Sequence, residues 1–283
     1  DNEFGCHETT YSWCLSTLRE FRIWLEKKYQ NIGDLNKSWG NVFWSMEYRS
    51  FEEIELPNLT VTEANPSHNF DFRKFCSDQV KNFNYQQVKI LNDYSPGRPI
   101  SHNFMGHFTE FDHREICEDI NIAAWDSYPI GFLQNMQTIA REDKKLLEDC
   151  YNIGDPDFQS YHHDLYRGMG RLWIMEQQPG PVNWGRYNPI PVAGAVRMWT
   201  WEAFAHDAEV VSYFRWRQAP FAQEQMHAGL MYRDNTPAIG SHEAMQVSNE
   251  IQMFNLPETQ KSEIALLHDY EAVSYTHLRA HET

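Results

Sequence analysis

Glu3, directly after Asn2, and Glu176, in Trp173-Ile174-Met175-Glu176-Gln177, are two carboxylates placed where strand-like runs end in polar residues. Cleavage of a glycosidic bond with retention needs such a pair. One carboxyl protonates the leaving oxygen, the other attacks the anomeric carbon, and the two stand about 5 Å apart across the sugar. Separate strands of one sheet can supply that spacing however distant the residues are in the chain. An Asn directly before the acid can hydrogen-bond the 2-hydroxyl of the sugar, a contact that strengthens in the transition state. Spacing alone leaves a bland alternative open, with Glu3 a surface carboxylate near a terminus and Glu176 a strand-end salt-bridge partner.

The elements that must position these groups can be read from hydrophobic period. Leu15, Leu18, Phe21, Leu25 and Tyr29 recur at steps of three and four, which predicts an amphipathic helix over 15–31. A second such stripe runs from about Phe72 through Cys76, Val80, Phe83 and Leu91 and stops at Ser95-Pro96-Gly97. Beyond it, β-favouring runs at 98–105, 121–128, 171–177 and 209–216 alternate with helix-length segments such as 131–148 and 194–206. Strands alternating with helices imply a parallel sheet with crossover helices. Each strand ends in polar or aromatic residues: His102-Asn103, Asp126-Ser127-Tyr128, Glu176-Gln177-Gln178 and Arg215-Trp216-Arg217. In a (β/α)8 TIM barrel the carboxyl ends of the strands carry the chemistry. A doubly wound sheet would show a Gly-rich phosphate loop after a strand, and none is present.

The expected fold class is therefore α/β, a (β/α)8 TIM barrel, amino-terminally truncated so that it runs from the end of strand 4 through strand 8 and the last helix. Asp1-Asn2-Glu3-Phe4-Gly5 reads as the tip of a strand already under way. Residues 1–256 form the partial barrel, with a last helix near 240–254. Residues 257–273, where Glu263 to Tyr270 reads as a strand, begin a further domain. Residues 274–283 have no apolar period and resemble a non-native adaptor or vector tail, so they carry no weight here.

The composition removes other classes. With 24 Lys and Arg against 40 Asp and Glu in 283 residues, the net charge of −16 opposes a nucleic-acid or anionic membrane partner. Ten Trp, 14 Tyr and 17 Phe are incompatible with a disordered chain. No apolar run approaches the roughly 20 residues of a bilayer span. A cytoplasmic protein is expected, with a signal peptide left open because the chain begins without Met. The five cysteines, Cys6, Cys14, Cys76, Cys117 and Cys150, form no Cys-x-x-Cys pair, so neither a disulfide framework nor a tetrathiolate site is legible.

Six ordered stretches carry a family resemblance: Asp1 to His7, Gly40-Asn41-Val42-Phe43-Trp44-Ser45, Asn58-Leu59-Thr60 with Glu63-Ala64-Asn65-Pro66, His102 to Gly106, Trp125-Asp126-Ser127-Tyr128-Pro129, and Met175-Glu176-Gln177. In this order, over residues 1 to about 272, they resemble the β-galactosidases of glycoside hydrolase family 42. The resemblance implies that Glu3 is the acid/base, Glu176 the nucleophile and Asn2 a partner of the 2-hydroxyl. It matches Trp44, Tyr128 and Trp184 to aromatic positions lining the galactose pocket, and Glu224 and His227 to a pair that binds sugar hydroxyls. Pyranose C–H faces pack on indole, and carboxylate and imidazole take hydroxyls directionally. The substrate implied is a terminal β-D-galactoside; a non-catalytic sugar-binding remnant and a barrel glycosidase of other sugar specificity stay open as alternatives.

No cofactor is implied. Some family members hold a structural zinc with clustered cysteines after the acid/base, but only Cys6 and Cys14 fall there, so no metal site is expected. Family members resemble homotrimers, which implies that state for a full-length parent. The early strands that supply a sugar-binding arginine, and the trimerisation domain, are expected outside this chain. Two Glu-x-x-His pairs, Glu110 to His113 and Glu224 to His227, fall in predicted loops, unlike the bundle helices of a di-metal site. His162-His163 reads as an exposed pair. A Gly-x-Ser-x-Gly elbow is absent, so Ser-His-Asp catalysis has no support.

Overall fold

A computed structural model describes residues 3–60, 62–135, 144–254 and 262–277. Its centre is a four-stranded parallel sheet in sequential order, β1 (Ser101–Phe104), β2 (Ile122–Ser127), β3 (Arg171–Gln177) and β4 (Val210–Tyr213). Every residue of β2 is buried, as expected of an interior parallel strand covered on both faces. Parallel neighbours need crossover connections, and helices supply them. In chain order, α4 (His113–Cys117) joins β1 to β2, α5 (Pro129–Asn135), α6 (Lys144–Cys150) and α7 (Pro156–Arg167) precede β3, and α8 (Ala195–Ala205) precedes β4. The predicted helix over 131–148 is thus seen as two described pieces, while 136–143 lie outside the described residues.

Because all four strands run the same way, Asn103, Asp126, Glu176 and Tyr213 come to one edge of the sheet. Register sharpens this placement. Trp125 pairs with Ile174, but the next partners are Asp126 and Glu176, so Met175 is the extra residue of a bulge. Without that bulge Asp126 would oppose Met175, and the two carboxylates would not be level.

The main core packs Phe104, Trp125, Tyr166, Ile174 and Ala203 between sheet and helices. A second core lies in the preceding helical region, where α1 (Leu15–Tyr29), α2 (Ile32–Trp39) and α3 (Pro66–Tyr94) bury Phe21, Leu25, Leu35, Phe72 and Phe75. Asp71 ties that region together: its carboxylate accepts from Lys28 Nζ at 2.6 Å, Tyr29 Oη at 2.7 Å and Trp39 Nε1 at 2.9 Å. Three donors on two other helices satisfy a carboxylate that would otherwise be costly to bury.

Helix α3 begins at Pro66, earlier than the stripe from Phe72 predicts. Asn65 caps it by accepting from the Ser67 amide at 2.9 Å, and Pro66 occupies the first turn, where no N–H is required. Its early turns are buried through His68 and Asp71, which carry no hydrophobic signal. The last helices are α9 (Ile239–Met253) and α10 (Tyr270–His277).

Several expectations are corrected. Of the strand tip expected over 1–5, Glu3 and Phe4 lie in a bend and a turn beside β1, and Asp1 and Asn2 lie outside the described residues. Residues 263–269 form no strand: no ladder partner is present among the described residues, and Ile264, Leu266 and Leu267 are exposed. Of the tail expected over 274–283, residues 274–277 close the last turn of α10, and 278–283 lie outside the described residues. His162 and His163 are buried, on the face of α7 that meets the sheet. There the Trp125 indole donates to His163 Nδ1 at 3.1 Å and His162 Nδ1 donates to the Phe158 carbonyl at 2.7 Å. Burial holds both imidazoles neutral, pushed down to about 4 for His162 and about 3 for His163. Of the Glu-x-x-His pairs, His113 opens α4, fully buried against Tyr166 at 2.8 Å. No helix among the described residues is long and apolar enough to cross a membrane.

Candidate active site

At the carboxyl edge of the sheet, carboxylate oxygens of Glu3, Asp126 and Glu176 all lie within 4.8 Å of one another. Asp126 and Glu176 arrive from β2 and β3 at paired positions. Glu3 arrives from a turn fixed against β1. Its backbone has φ 51°, a left-handed conformation that non-glycine residues rarely adopt and that gathers at functional sites. The turn is pinned on both sides: the Cys6 amide donates to the Glu3 carbonyl at 3.0 Å, and the Phe4 amide donates to His102 Nε2 at 3.3 Å. The Phe4 ring also stacks on His102, with centroids 4.1 Å apart. Burial keeps His102 neutral, pushed down to about 3, as an acceptor nitrogen must be.

Glu176 is gripped by one strong donor. Tyr128 Oη donates to Glu176 Oε2 at 2.5 Å, which leaves Oε1 for other work. Burial raises the Glu176 carboxyl above the ordinary carboxylate range, the Tyr128 hydrogen bond opposes that rise, and the charges of Glu3 and Glu224 add to it. Tyr128 itself is pushed well above its usual value, first by burial and then by the adjacent Glu176 charge, so it remains the donor. Removing the hydroxyl with Tyr128→Phe takes away a stabiliser of the Glu176 anion, so the Glu176 carboxyl rises further. The acidic limb of the kcat/KM profile is expected to move to higher pH, and kcat to fall by about 10- to 100-fold, the loss of one charge-assisted hydrogen bond. An unchanged acidic limb would show that Tyr128 does not set the ionisation of Glu176.

Around the carboxylates the other predicted residues sort into two groups. Trp184 packs edge-to-face on Tyr128 with centroids 5.3 Å apart, and its ring lies over Gly131, where a Cβ would fall 2.3 Å from Trp184 Cη2. His227 is buried with its ring 5.7 Å from Tyr128. Its Nδ1 donates to Asn183 Oδ1 at 2.9 Å, so Nε2 is left as an acceptor with no partner among the described residues. Burial, and then the nearby Arg215 charge, push His227 down to about 4. Glu224 is held by Arg215, whose Nη1 donates to Oε2 at 2.8 Å, and it lies near enough to act on Glu176.

Trp44 is not brought to this group. It is exposed at the rim of a cavity of about 860 Å³ that Trp39, Asn41, Tyr48, Asn65 and His68 also line, and neither Glu3, Tyr128 nor Glu176 lines that cavity. Asn2 lies outside the described residues.

Three site residues escaped the sequence reading. Asn103, Asp126 and Arg215 each stand in a polar strand end, a visible signal, but only register and side-chain contact distinguish them from their neighbours. Asn103 Nδ2 donates to Asp126 Oδ2 at 3.0 Å. Oxygen-only cation sites gather six or more ligands. Here Asn103 and Tyr128 already occupy an oxygen of Asp126 and of Glu176, and no metal role is assigned to the trio.

A carboxylate pair, a tyrosine on one of its members, and an indole, imidazole and glutamate beside it make an arrangement able to hold a polyhydroxylated ring and exchange protons over it. Known proteins give the same frame. The chain matches the family profile described as Beta-galactosidase, glycoside hydrolase family 42, over residues 1–254. It is 53% identical over 274 residues to a beta-galactosidase of Thermus thermophilus, an alignment covering 96% of this chain and 42% of that one. Its fold superposes on the crystal structure of a beta-galactosidase from the psychrophilic Marinomonas ef1 with a TM-score of 0.92 at 51% identity, covering 99% of this chain and 44% of the other. For the polyextremophilic beta-galactosidase of Halorubrum lacusprofundi the TM-score is 0.93 at 39% identity, covering 99% and 42%. The chain therefore spans about two fifths of the length of these relatives. A match over nearly the whole described sheet and its helices places the chain in glycoside hydrolase family 42, the beta-galactosidase family.

Proposed function

We propose that this chain carries the catalytic centre of a retaining β-galactosidase, in the second half of a (β/α)8 barrel, and that it releases terminal β-D-galactosyl groups by double displacement. The observation that supports this reading is the approach of the Glu3 and Glu176 carboxylates within 4.8 Å. Retaining enzymes hold the two carboxyls about 5–5.5 Å apart, whereas inverting enzymes keep roughly 6.5–9.5 Å to admit a water between them.

In the first step Glu176 Oε1 attacks the anomeric carbon while the Glu3 carboxyl gives its proton to the glycosidic oxygen, and the alcohol departs. The products are a galactosyl ester on Glu176 and a Glu3 carboxylate. In the second step water attacks the same carbon, Glu3 takes its proton, and the ester bond to Glu176 breaks, which restores both groups. Tyr128 fixes the Glu176 carboxylate by its non-attacking oxygen. Trp184 offers a face for the ring's C–H edge, and His227 Nε2 and Glu224 accept sugar hydroxyls.

The test uses the complete polypeptide and an activated 2-deoxy-2-fluoro-galactoside, which forms the ester quickly and hydrolyses it slowly. Peptide mass spectrometry is expected to find the fluorosugar on the peptide containing Glu176. Reversible binding without label, or label on another carboxylate, would overturn the assignment.

A further inference from the structure

Two carboxyls suffice for the reaction proposed above, yet a third stands with them. Asp126 is only 2% exposed, and its two oxygens differ in their surroundings. Oδ2 accepts from Asn103 Nδ2 at 3.0 Å, while Oδ1 is buried with no partner among the described residues. An ionised carboxylate in such a place would leave an oxygen bare, against the rule that buried charges are paired.

The titratable groups that face Asp126 come from three other strand ends and turns and from α7. They are Glu3 and Cys6 from the first turn, Tyr128 beyond β2, Tyr166 on α7 and Glu176 on β3. None is a cation. Arg215, which holds Glu224 beside the site, is committed to that carboxylate. Three carboxyls within 4.8 Å, with no cation paired to any of them among the described residues, resist ionising together near neutral pH. The proton settles on the one most removed from water.

We propose that Asp126 is a positioning residue that stands in the site as a neutral carboxylic acid, its Oδ1 hydroxyl donating to the Glu3–Glu176 pair through one water. Asn103 can only donate through Nδ2, so Oδ2 is the carbonyl oxygen and the proton belongs on Oδ1. Burial, and then the charges of Glu176 and Glu3, hold the Asp126 carboxyl well above the ordinary carboxylate range, in agreement with that placement. The consequence is electrostatic. With Asp126 neutral, the three carboxyls carry one negative charge when Glu3 is protonated, and that charge resides on Glu176, where attack requires it. An anionic Asp126 would instead drive a proton onto Glu176.

This role rests on the glycosidase reading for its purpose, but the protonation state can be read without turnover. In the complete polypeptide at neutral pH, the infrared spectrum is expected to contain a carboxylic acid C=O band that is lost in Asp126→Asn. Asn also presents an N–H where the acid presents O–H and a carbonyl toward Asn103. Asp126→Asn is therefore expected to retain kcat within about fivefold and to leave the acidic limb of kcat/KM in place. Asp126→Leu removes the donor, so the Glu176 carboxyl rises and that limb moves to higher pH. Absence of an Asp126-dependent acid band, or a hundredfold loss in Asp126→Asn with its melting temperature preserved, would overturn the proposal. If Asp126→Leu does not fold, the band and the Asn variant still decide. If the wild-type polypeptide has no galactosidase activity but shows the band, the neutral acid stands and the glycosidase reading fails.

Discussion

Glu176→Gln in the complete polypeptide is expected to lower kcat for an aryl β-galactoside by about 10⁴-fold or more, toward the ~10⁶ seen when a covalent nucleophile is removed. The amide is nearly isosteric with the acid and can keep a hydrogen bond with Tyr128, so the fold and the sugar pocket should survive. What is lost is the negative charge that makes the attacking oxygen a nucleophile, since the amide oxygen keeps its lone pairs but shares them with the amide nitrogen. Binding of galactose, read by calorimetry, should change little. The alternative role for Glu176, a strand-end salt bridge, predicts a different outcome: a lower melting temperature with much of the turnover left. Among the described residues Glu176 makes no ion pair, and its close contact is the phenol of Tyr128 at 2.5 Å. Residual activity above a few per cent would remove Glu176 from the nucleophile's role. The label test and this variant fail separately, because a fluorosugar could mark Glu176 without Glu176 being the productive nucleophile.

Much of what positions this glutamate is legible in the sequence because parallel strands are read from composition as well as period. Ile122-Ala123-Ala124-Trp125 is a short apolar run bounded by polar residues, and β2 forms there; Leu172-Trp173-Ile174-Met175 does the same in β3. Their polar ends lie at one edge for a topological reason, since crossover helices return each strand in the same direction. The bulge at Met175 is not legible, for it depends on how two strands align and not on either alone. Asp126 was missed for the same cause. Its neighbours Ser127 and Tyr128 are equally polar, and only pairing with Glu176 and the contact with Asn103 single it out.

Histidines mislead in the opposite direction. His162-His163 looks like a solvated pair because imidazole is polar, yet a neutral ring both packs and hydrogen-bonds, and the α7 face toward Trp125 uses both properties. The stretch 263–269 misleads because its apolar residues fit a strand, but a strand needs a neighbour, and none stands beside it among the described residues. Trp44 has a different lesson. Family resemblance carries a residue's role without its location, and here the indole stands exposed at another cavity.

Glu3→Ala is expected to divide substrates by leaving group. A poor leaving group, such as the sugar alcohol of a disaccharide, needs the proton that Glu3 supplies in the first step, so kcat/KM should fall by about 10²- to 10⁴-fold, the usual worth of a general acid. A dinitrophenolate leaves without help, so for that substrate kcat/KM should fall by less than about tenfold. The second step suffers for both, because water loses its base and the galactosyl ester on Glu176 accumulates. Azide needs no base. Adding it should restore kcat for the dinitrophenyl substrate and yield β-galactosyl azide, with the anomeric configuration retained. Ala tolerates the left-handed φ of 51° about as well as Glu does, so the turn held by Cys6 and His102 should persist. Equal losses for both leaving groups, with no azide product, would mean that Glu3 shapes the site without transferring a proton. The 4.8 Å approach to Glu176 would then reflect packing of the first turn on β1 and not the spacing of a catalytic pair.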